Sequence, residues 1–299
     1  MFRVLATRHN MKSVAYLFQA ILILAWWIGL ASSETFFQAF QFDGIGPTAF
    51  WSFFIPDLVI IAGLSFLRIF LDRPWIERVV LGAFAYASLY CLNASLLSGS
   101  GLLPTSMMFL GLAFNVFVAH SEWFFRESTS RSFGTNFSKT LVQLVLIWTA
   151  TLAVIPSTLI GAFGIGEFLP PLLCQLAGWF SFGCFSTLGL VSAFYMVRDG
   201  HGTPLPMDQP VTLVLSGPYR IVRNPMAVAG IGQGLSIALV FQSIPILVYS
   251  IVGAIIWNWV VRPLEERDLE ARFGGQFATY RQSVWCWLPR LKSYSSIST

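Results

Sequence analysis

Residues 226–261 read MAVAGIGQGLSIALVFQSIPILVYSIVGAIIWNWVV and contain no charged side chain. A helix that crosses a bilayer needs about 20 consecutive apolar residues, so this run is long enough for two crossings. Ser243 and Pro245 lie near its middle, where a tight turn would join two helices. The run therefore predicts a transmembrane helical hairpin with spans at 226–243 and 244–261.

Six more apolar runs precede this hairpin and give a total of eight predicted spans. The chain has 299 residues, of which 56% are hydrophobic and 11% are charged, whereas a soluble domain usually carries about 25% charged residues. A single water-soluble core of this length could not bury so much apolar surface. We predict an all-α, polytopic transmembrane bundle with spans at about 13–32, 50–71, 76–97, 103–120, 139–160, 169–196, 226–243 and 244–261.

The basic residues indicate the orientation of the spans. If the N-terminus is cytoplasmic, all 18 Lys and Arg residues fall on the cytoplasmic side, and the outer loops carry the acids Glu34, Asp43 and Glu167. Cytoplasmic loops are enriched in Lys and Arg, so we predict that both termini are cytoplasmic. The same distribution argues against a nucleic-acid partner, although the net charge is +4. We expect an integral protein of a bacterial cytoplasmic membrane, or of the endoplasmic reticulum membrane in a eukaryote.

Two polar segments flank the hairpin and return to the same membrane edge. The first, residues 217–226, reads GPYRIVRNPM and follows a proline-rich loop that begins at residue 197. The second, residues 262–269, reads RPLEERDL and opens a predicted amphipathic helix over 263–290, with Pro263 at its first position. The apolar face of this helix is predicted to consist of Leu269, Phe273, Phe277, Tyr280 and Val284. The segments could share a pocket with guanidinium groups, carboxylates and an aromatic ring. The same charges could instead be membrane anchors with acidic helix caps, and both interpretations stay open at this point.

Other polar and small residues give weaker signals. Polar residues occur singly in the predicted spans, which favours interhelical hydrogen bonds over a transport path. They are Asp57, Asn93, Asn115, Gln143 and Gln175. The glycine-rich string at 230–234 has no strand before it, so it does not fit a nucleotide-binding loop; we expect a packing seam of Ala227, Gly230, Gly234 and Ala238. The three histidines lack ligand spacing, and no metal site is predicted.

The two polar segments together resemble the isoprenylcysteine carboxyl methyltransferase and phospholipid methyltransferase superfamily of integral-membrane methyltransferases. The superfamily pattern runs roughly G-x-Y-x-x-x-R-H/N-P, a helical hairpin, E-E, F-G, Y-x-x-Y and L-P. The matching residues are Gly217, Tyr219, Arg223, Asn224, Pro225, Glu265, Glu266, Phe273, Gly274, Tyr280, Leu288 and Pro289. Three positions depart from it: Asn224 stands where the carboxyl methyltransferases have histidine, Ala227 or a neighbour stands where a tyrosine often follows the proline, and Phe277 replaces the first tyrosine of Y-x-x-Y.

The resemblance implies an S-adenosylmethionine cofactor and a lipophilic methyl acceptor, such as a prenylcysteine carboxylate or a lipid. It covers residues 138–299, with a cofactor loop at 197–225 and a C-terminal helix at 263–290, and leaves the helices of 1–137 without an assigned role. Arg262 and Glu266 are the expected catalytic residues, with Arg262 orienting an acceptor carboxylate or phosphate. The expected cofactor-binding residues are Gly217, Tyr219, Arg223, Asn224, Pro225, Glu265 and Glu266.

Two other classes of function stay open. The chain could be a non-catalytic membrane scaffold or a small-molecule transporter, or it could be a reductase of unsaturated lipids that uses NADPH. Binding of S-adenosylhomocysteine that depends on Glu265 and Glu266 would favour the methyltransferase over the scaffold. Thermal protection by NADPH rather than S-adenosylmethionine would favour the reductase.

Overall fold

A computed structural model describes residues 2–166 and 169–290 of the chain. The described part is helical apart from loops and one isolated β-bridge between Glu127 and Gln209, which confirms the predicted all-α class. The α-helices, numbered in chain order, are α1 (Phe2–Ser32), α2 (Glu34–Ala39), α3 (Pro47–Trp51), α4 (Phe54–Pro56), α5 (Leu64–Phe70), α6 (Pro74–Ser98), α7 (Leu102–Ala119), α8 (Ser121–Phe124), α9 (Phe133–Trp148), α10 (Ile155–Phe163), α11 (Pro171–Gly200), α12 (Pro225–Val240), α13 (Ile244–Ile256) and α14 (Arg262–Ser283). The π-helical segments are Asp57–Gly63, Thr149–Val154 and Trp257–Val261, and the 3₁₀ turns are Pro206–Asp208 and Gly217–Arg220.

Seven helical stretches in the described part of the chain are long and apolar enough to cross a membrane. They are Met11–Ser32, Pro47–Phe70, Pro74–Ser98, Leu102–Ala119, Phe133–Phe163, Pro171–Gly200 and Ile244–Ser283. The predicted span at 226–243 corresponds to α12, which has 16 residues, or about 24 Å at a rise of 1.5 Å per residue against a hydrocarbon core of about 30 Å. It ends early because the chain turns at Gln242, whose φ is 46°, and Ser243 then caps α13 by accepting a hydrogen bond from the Ile246 N–H. The predicted eight spans thus become seven full-length candidates and one short apolar helix.

The chain divides into two compact units. The first comprises residues 1–121 with 158–164, and the second comprises 122–157 with 165–299. The first unit contains α1 to α7, and the second contains α9 and α11 to α14. All the predicted site residues therefore belong to the second unit. The predicted functional boundary at residue 137 stays a prediction.

A cluster of ionised side chains is buried in the first unit. The Arg68 side chain, 2% exposed, pairs with Glu77 at 2.7 Å and with Asp72 at 2.5 Å. The second carboxylate oxygen of Glu77 accepts from Lys12 Nζ at 2.8 Å. Because each buried charge has an oppositely charged partner, the cluster joins α1, α5 and α6 without an uncompensated charge.

Polar side chains further along α1 form hydrogen bonds between helices of the same unit. Gln19 Nε2 donates to Ser65 Oγ at 2.8 Å, and Gln19 Oε1 accepts from Asn115 Nδ2 at 2.7 Å. Trp27 Nε1 donates to Asp57 Oδ2 at 3.1 Å. These contacts confirm the interhelical hydrogen bonds predicted for Asn115 and Asp57.

Small residues bring α11 and α12 of the second unit close together. A Cβ on Gly232 would lie 2.4 Å from the Phe185 ring, and one on Gly189 would lie 3.3 Å from the Ala229 Cβ. Gly230, which was predicted to belong to the seam, is exposed and has open space beside it. The predicted seam is wrong at this position, because the contact face of α12 is rotated toward Ala229 and Gly232.

The last membrane helix continues into the C-terminal helix without a break. α13 passes through the π-helical segment Trp257–Val261 directly into α14, so the predicted helix start at Pro263 is wrong. Pro263 lacks an N–H and its ring crowds the preceding turn, and a π-helical turn is one way for a helix to accommodate this. The helix ends at Ser283 rather than 290, and Gly274 kinks it with a φ of 50°.

The orientation of the spans is a prediction that labelling can test. In a background without native cysteines, cysteines at Ser33, Gly99 and Gly166 should react with a membrane-impermeant maleimide from outside, because these positions follow the predicted outer ends of spans. A cysteine at Thr129 should react only after permeabilisation. Labelling of the cysteine at position 33 exclusively from the cytoplasm would contradict the predicted orientation. Glu167, one of the predicted outer acids, lies outside the described residues.

Candidate functional site

A cavity of about 120 Å³ lies in the second unit between the loop that precedes α12 and the first turns of α14. The apolar face predicted for the C-terminal helix supports it, since Phe277, Tyr280 and Val284 are buried there against Leu213 and Leu215. Six predicted site residues line the cavity. They are Tyr219, Arg223, Asn224, Pro225, Glu265 and Glu266.

Arg223 connects the loop to the C-terminal segment. Its Nη2 donates to Glu266 Oε1 at 2.7 Å, and its Nη1 donates to the carbonyl oxygens of Arg281 and Val284, both at 2.9 Å. Its backbone N–H donates to the Trp285 carbonyl at 2.8 Å. Most of this guanidinium therefore holds Glu266 and the end of α14 in place; its buried Nε has no hydrogen-bond partner among the described residues.

The two adjacent carboxylates of α14 have different surroundings. Glu266 is paired with Arg223, and its side chain is 17% exposed. Glu265 lines the same cavity but has no ion pair among the described residues, and burial, together with the nearby carboxylates of Glu266 and Asp268, raises its pKa to about 7. A carboxyl group in this position is suited to a ligand whose positive charge or hydrogen-bond donors stabilise the ionised form.

Tyr219 presents a buried hydroxyl at the cavity. Its carbonyl oxygen accepts a hydrogen bond of 2.6 Å from Tyr280 Oη, while its own Oη has no hydrogen-bond partner in the part of the chain that the structure describes. Burial, with Tyr280 and Glu265 nearby, holds the pKa of this phenol well above its ordinary value of 10.0. Leaving a buried O–H unpaired costs about 1–3 kcal/mol, so the neutral hydroxyl is a ready donor for a ligand.

Asn224 and Pro225 form the N-terminus of α12 at the cavity wall. Pro225 occupies the first helical position, where its missing N–H is not needed. The Asn224 Nδ2 donates a weak hydrogen bond to Cys286 Sγ at 3.4 Å. The side chain at the position of the family histidine is therefore a donor that contacts the C-terminal segment.

Gly217 and Arg262 are the predicted site residues that do not line the cavity. Gly217 has a φ of 58°, and a Cβ there would lie 2.4 Å from the Tyr195 ring, so glycine allows the turn before Tyr219. Arg262 lies four residues before Glu266 and has a buried Nε without a hydrogen-bond partner in the described chain. At this spacing the two residues lie on one side of the helix.

Arg272 lines the cavity but was not predicted as a site residue from the sequence. Its Nε donates to Asp268 Oδ2, its Nη1 to the Pro210 carbonyl and its Nη2 to Gln209 Oε1, each at 2.7 Å. The spacing of four between Asp268 and Arg272 was the available signal, because such pairs meet on a helix. The contacts with Pro210 and Gln209 fasten the loop to α14.

The same loop is also attached to the segment before α9. The Arg126 N–H donates to the Pro206 carbonyl at 3.0 Å, and the Gln209 N–H donates to the Arg126 carbonyl at 2.8 Å. Lys139 Nζ lies 3.0 Å from Asp208 Oδ2. Residues 203–210, called the flap below, therefore cover one side of the cavity and are attached by these polar contacts to α14, to Arg126 and to Lys139.

Comparison with known proteins relates this region to a methyltransferase family. Residues 166–276 match the family model described as phospholipid methyltransferase, which confirms the resemblance over a region that contains the loop, α12, α13 and the carboxylates of α14. The match supports a membrane methyltransferase, and such a family implies a methyl donor such as S-adenosylmethionine. No curated protein and no solved structure matches the chain significantly.

Proposed function

We propose that the chain is an integral-membrane methyltransferase that uses S-adenosylmethionine and modifies a lipophilic acceptor. The observation that carries the proposal is that the family match over 166–276 includes both walls of one cavity, the loop with Tyr219 and the helix with Glu265 and Glu266. We propose residues 138–299 as the methyltransferase core. The acceptor belongs to the broad class of prenylcysteine-like carboxylates and lipids.

The residues around the cavity suit this cofactor. The carboxylates of Glu265 and Glu266 can accept hydrogen bonds from an α-ammonium group or from ribose hydroxyls, and the unpaired Tyr219 hydroxyl can donate one. The enclosed volume of about 120 Å³ is smaller than the roughly 300–1,000 Å³ of typical ligand sites. We therefore expect the flap at 203–210 to open when the whole cofactor binds.

Positioning rather than proton transfer is the main task of the protein in this reaction. The sulfonium of S-adenosylmethionine supplies an activated methyl group, so acceleration comes from holding the reacting groups in line. Arg223 positions Glu266, and we propose that Arg262 and Glu266, on one side of α14, orient the acceptor at the membrane edge, with Arg262 binding its carboxylate or phosphate. Gly217 and Pro225 shape the cofactor loop.

The test is methyl transfer by the purified protein. With S-adenosylmethionine labelled in its methyl group and a total lipid extract in nanodiscs, label should enter the organic phase in proportion to enzyme. Protein that binds neither S-adenosylhomocysteine nor NADPH would instead support the scaffold or transporter. Thermal protection by NADPH alone would support the lipid reductase.

Asn224 should act as a hydrogen-bond donor and not as a base. An amide N–H can replace a neutral imidazole N–H but does not titrate near neutral pH. Asn224→His should therefore keep substantial methyl transfer, whereas Asn224→Leu should lose at least tenfold, because it removes the donor at the cavity wall.

The measurement is the rate of methyl transfer against pH for wild type and Asn224→His. The Asn224 side chain should add no inflection to the wild-type profile between about pH 6 and 8, since only a group with a pKa near that of histidine would do so. The profile of Asn224→His should show an inflection in this range only if the imidazole ring acts as a base. Full activity of Asn224→Leu would show that the side chain has no role in cofactor binding.

A further inference from the structure

Two cavities in the first unit meet at Asp57. The smaller, about 60 Å³, has aromatic walls that include Trp26, Phe50 and Tyr90. The larger, about 460 Å³, is lined mostly by apolar residues such as Ile60 and Val79. Phe53, Asp57 and Ala87 line both. These shared residues place the carboxyl group of Asp57 between a small aromatic space and a larger apolar one, and we treat the two as one candidate site.

Asp57 brings an uncompensated carboxyl group to this site. The residue is 8% exposed and begins the π-helical segment Asp57–Gly63. Trp27 Nε1 donates a hydrogen bond to its Oδ2 at 3.1 Å, and among the described residues it has no ion pair. One indole N–H does not replace the hydration of a carboxylate, so a positive group beside Asp57 would stabilise the ionised form of this carboxyl group.

Two cations of the unit, the buried Arg68 and the half-buried Lys12, already have carboxylate partners. Lys12 and Arg68 both pair with Glu77. Arg68 is eleven residues beyond Asp57, which is about 16 Å along a helix. A positive partner for Asp57 would therefore have to come from a ligand rather than from these two side chains.

The aromatic residues around Asp57 favour an organic cation as that ligand. Phe53 and Tyr90 form an edge-to-face pair with centroids 4.7 Å apart, and Trp27 contacts Phe50 at 5.6 Å. Aromatic rings next to a carboxylate attract ammonium groups through the ring quadrupole and the negative charge. A volume of about 60 Å³ is that of about two water molecules, which admits an ammonium group with its first methylene.

We propose that the first unit binds an amphiphilic alkylammonium, with the ammonium group at Asp57 and the hydrocarbon chain in the larger cavity. The apolar lining of that cavity suits the chain, and Asp57, which lines both cavities, suits the ammonium group. The site lies outside the family match and is independent of methyl transfer.

The test is binding of protonated decylamine to the full-length protein in zwitterionic nanodiscs, measured by calorimetry with empty nanodiscs subtracted. Decanol, which has the same chain without the charge, should bind at least tenfold more weakly, and methylamine, which lacks the chain, should bind more weakly still. Equal affinity of wild type for decylamine and decanol would overturn the charge assignment. Equal affinity for methylamine and decylamine would overturn the chain assignment.

Asp57→Asn keeps an oxygen acceptor for Trp27 and removes the charge, so it should weaken decylamine binding at least tenfold and leave decanol binding unchanged. Asp43→Asn, which removes an exposed charge from the same unit, is the matched control and should stay within twofold of wild type. Phe53→Leu, which removes a ring from both cavities, should weaken decylamine about threefold to tenfold and tests the site even if Asp57→Asn does not fold. Wild-type affinity for decylamine in Asp57→Asn or in Phe53→Leu would overturn the proposal.

Discussion

Replacing Glu265 and Glu266 together by alanine should abolish binding of S-adenosylhomocysteine, with an affinity loss of at least 100-fold. Both side chains line the cavity in the second unit, and together they supply its acidic acceptors for an ammonium group or ribose hydroxyls. Two charge-assisted hydrogen bonds worth about 1.5–3 kcal/mol each account for a loss of this size. The measurement is calorimetric titration of the purified protein with S-adenosylhomocysteine.

The single variants should separate binding from stability. Glu265→Gln should weaken S-adenosylhomocysteine at least tenfold without lowering the unfolding midpoint, because Glu265 has no ion pair among the described residues. Glu266→Gln should also lower the midpoint, because it breaks the pair with Arg223. Glu270→Ala removes an exposed carboxylate of the same helix and should leave binding unchanged. A double alanine variant that binds as tightly as wild type would show that these carboxylates do not hold the cofactor.

Arg223→Met should destabilise the second unit by about 3–5 kcal/mol, as expected when one partner of a largely buried ion pair is removed. The variant leaves Glu266 without its positive partner and the carbonyl oxygens of Arg281 and Val284 without their donor. The measurement is the free energy of unfolding in mixed micelles, and a lower unfolding midpoint should be the first sign of the loss.

Two further variants identify the cause of that loss. Arg220→Met removes an exposed arginine three residues away in the same loop and should cost less than about 1 kcal/mol. Combining Arg223→Met with Glu266→Leu should recover part of the stability, since replacing a buried pair by apolar groups is often nearly neutral. If Arg223→Met were as stable as Arg220→Met, the contacts of Arg223 would be dispensable for the fold.

Sequence patterns predicted that the two walls of the cavity would meet, because both flank the same hairpin. Residues 226–261 carry no charge, and a chain that crosses a membrane twice must return to the same edge, so residues 217–225 and 262–269 were expected to meet. The predicted apolar face of the C-terminal helix was also right, because Phe277, Tyr280 and Val284 follow helical spacing.

Other features depend on contacts that sequence spacing does not encode. The carbonyl oxygens that bind Arg223 are about 60 residues away along the chain. Every residue has a backbone carbonyl, so the residue type at these positions does not indicate the contact. The wrong prediction for Gly230 has a different origin. Small residues occur on several faces of α12, and only the packing against α11 determines which face lies at the contact. The π-helical turn before Pro263 is a local change of register, which the apolar pattern on both sides does not reveal.

The helix that begins at Ile244 continues past Glu265 without a break as far as the kink at Gly274, and it connects the bilayer to the cavity. Helices tilt to match the thickness of the hydrocarbon core. Glu265 lies 21 residues from Ile244, about 32 Å along the axis, so a change in tilt of about 5° would displace it by roughly 3 Å. Displacements of about 1 Å already impair catalytic geometry. We therefore expect the rate of the proposed methyl transfer to depend on lipid chain length, because a thinner or thicker membrane would move Glu265 without any ligand or modification.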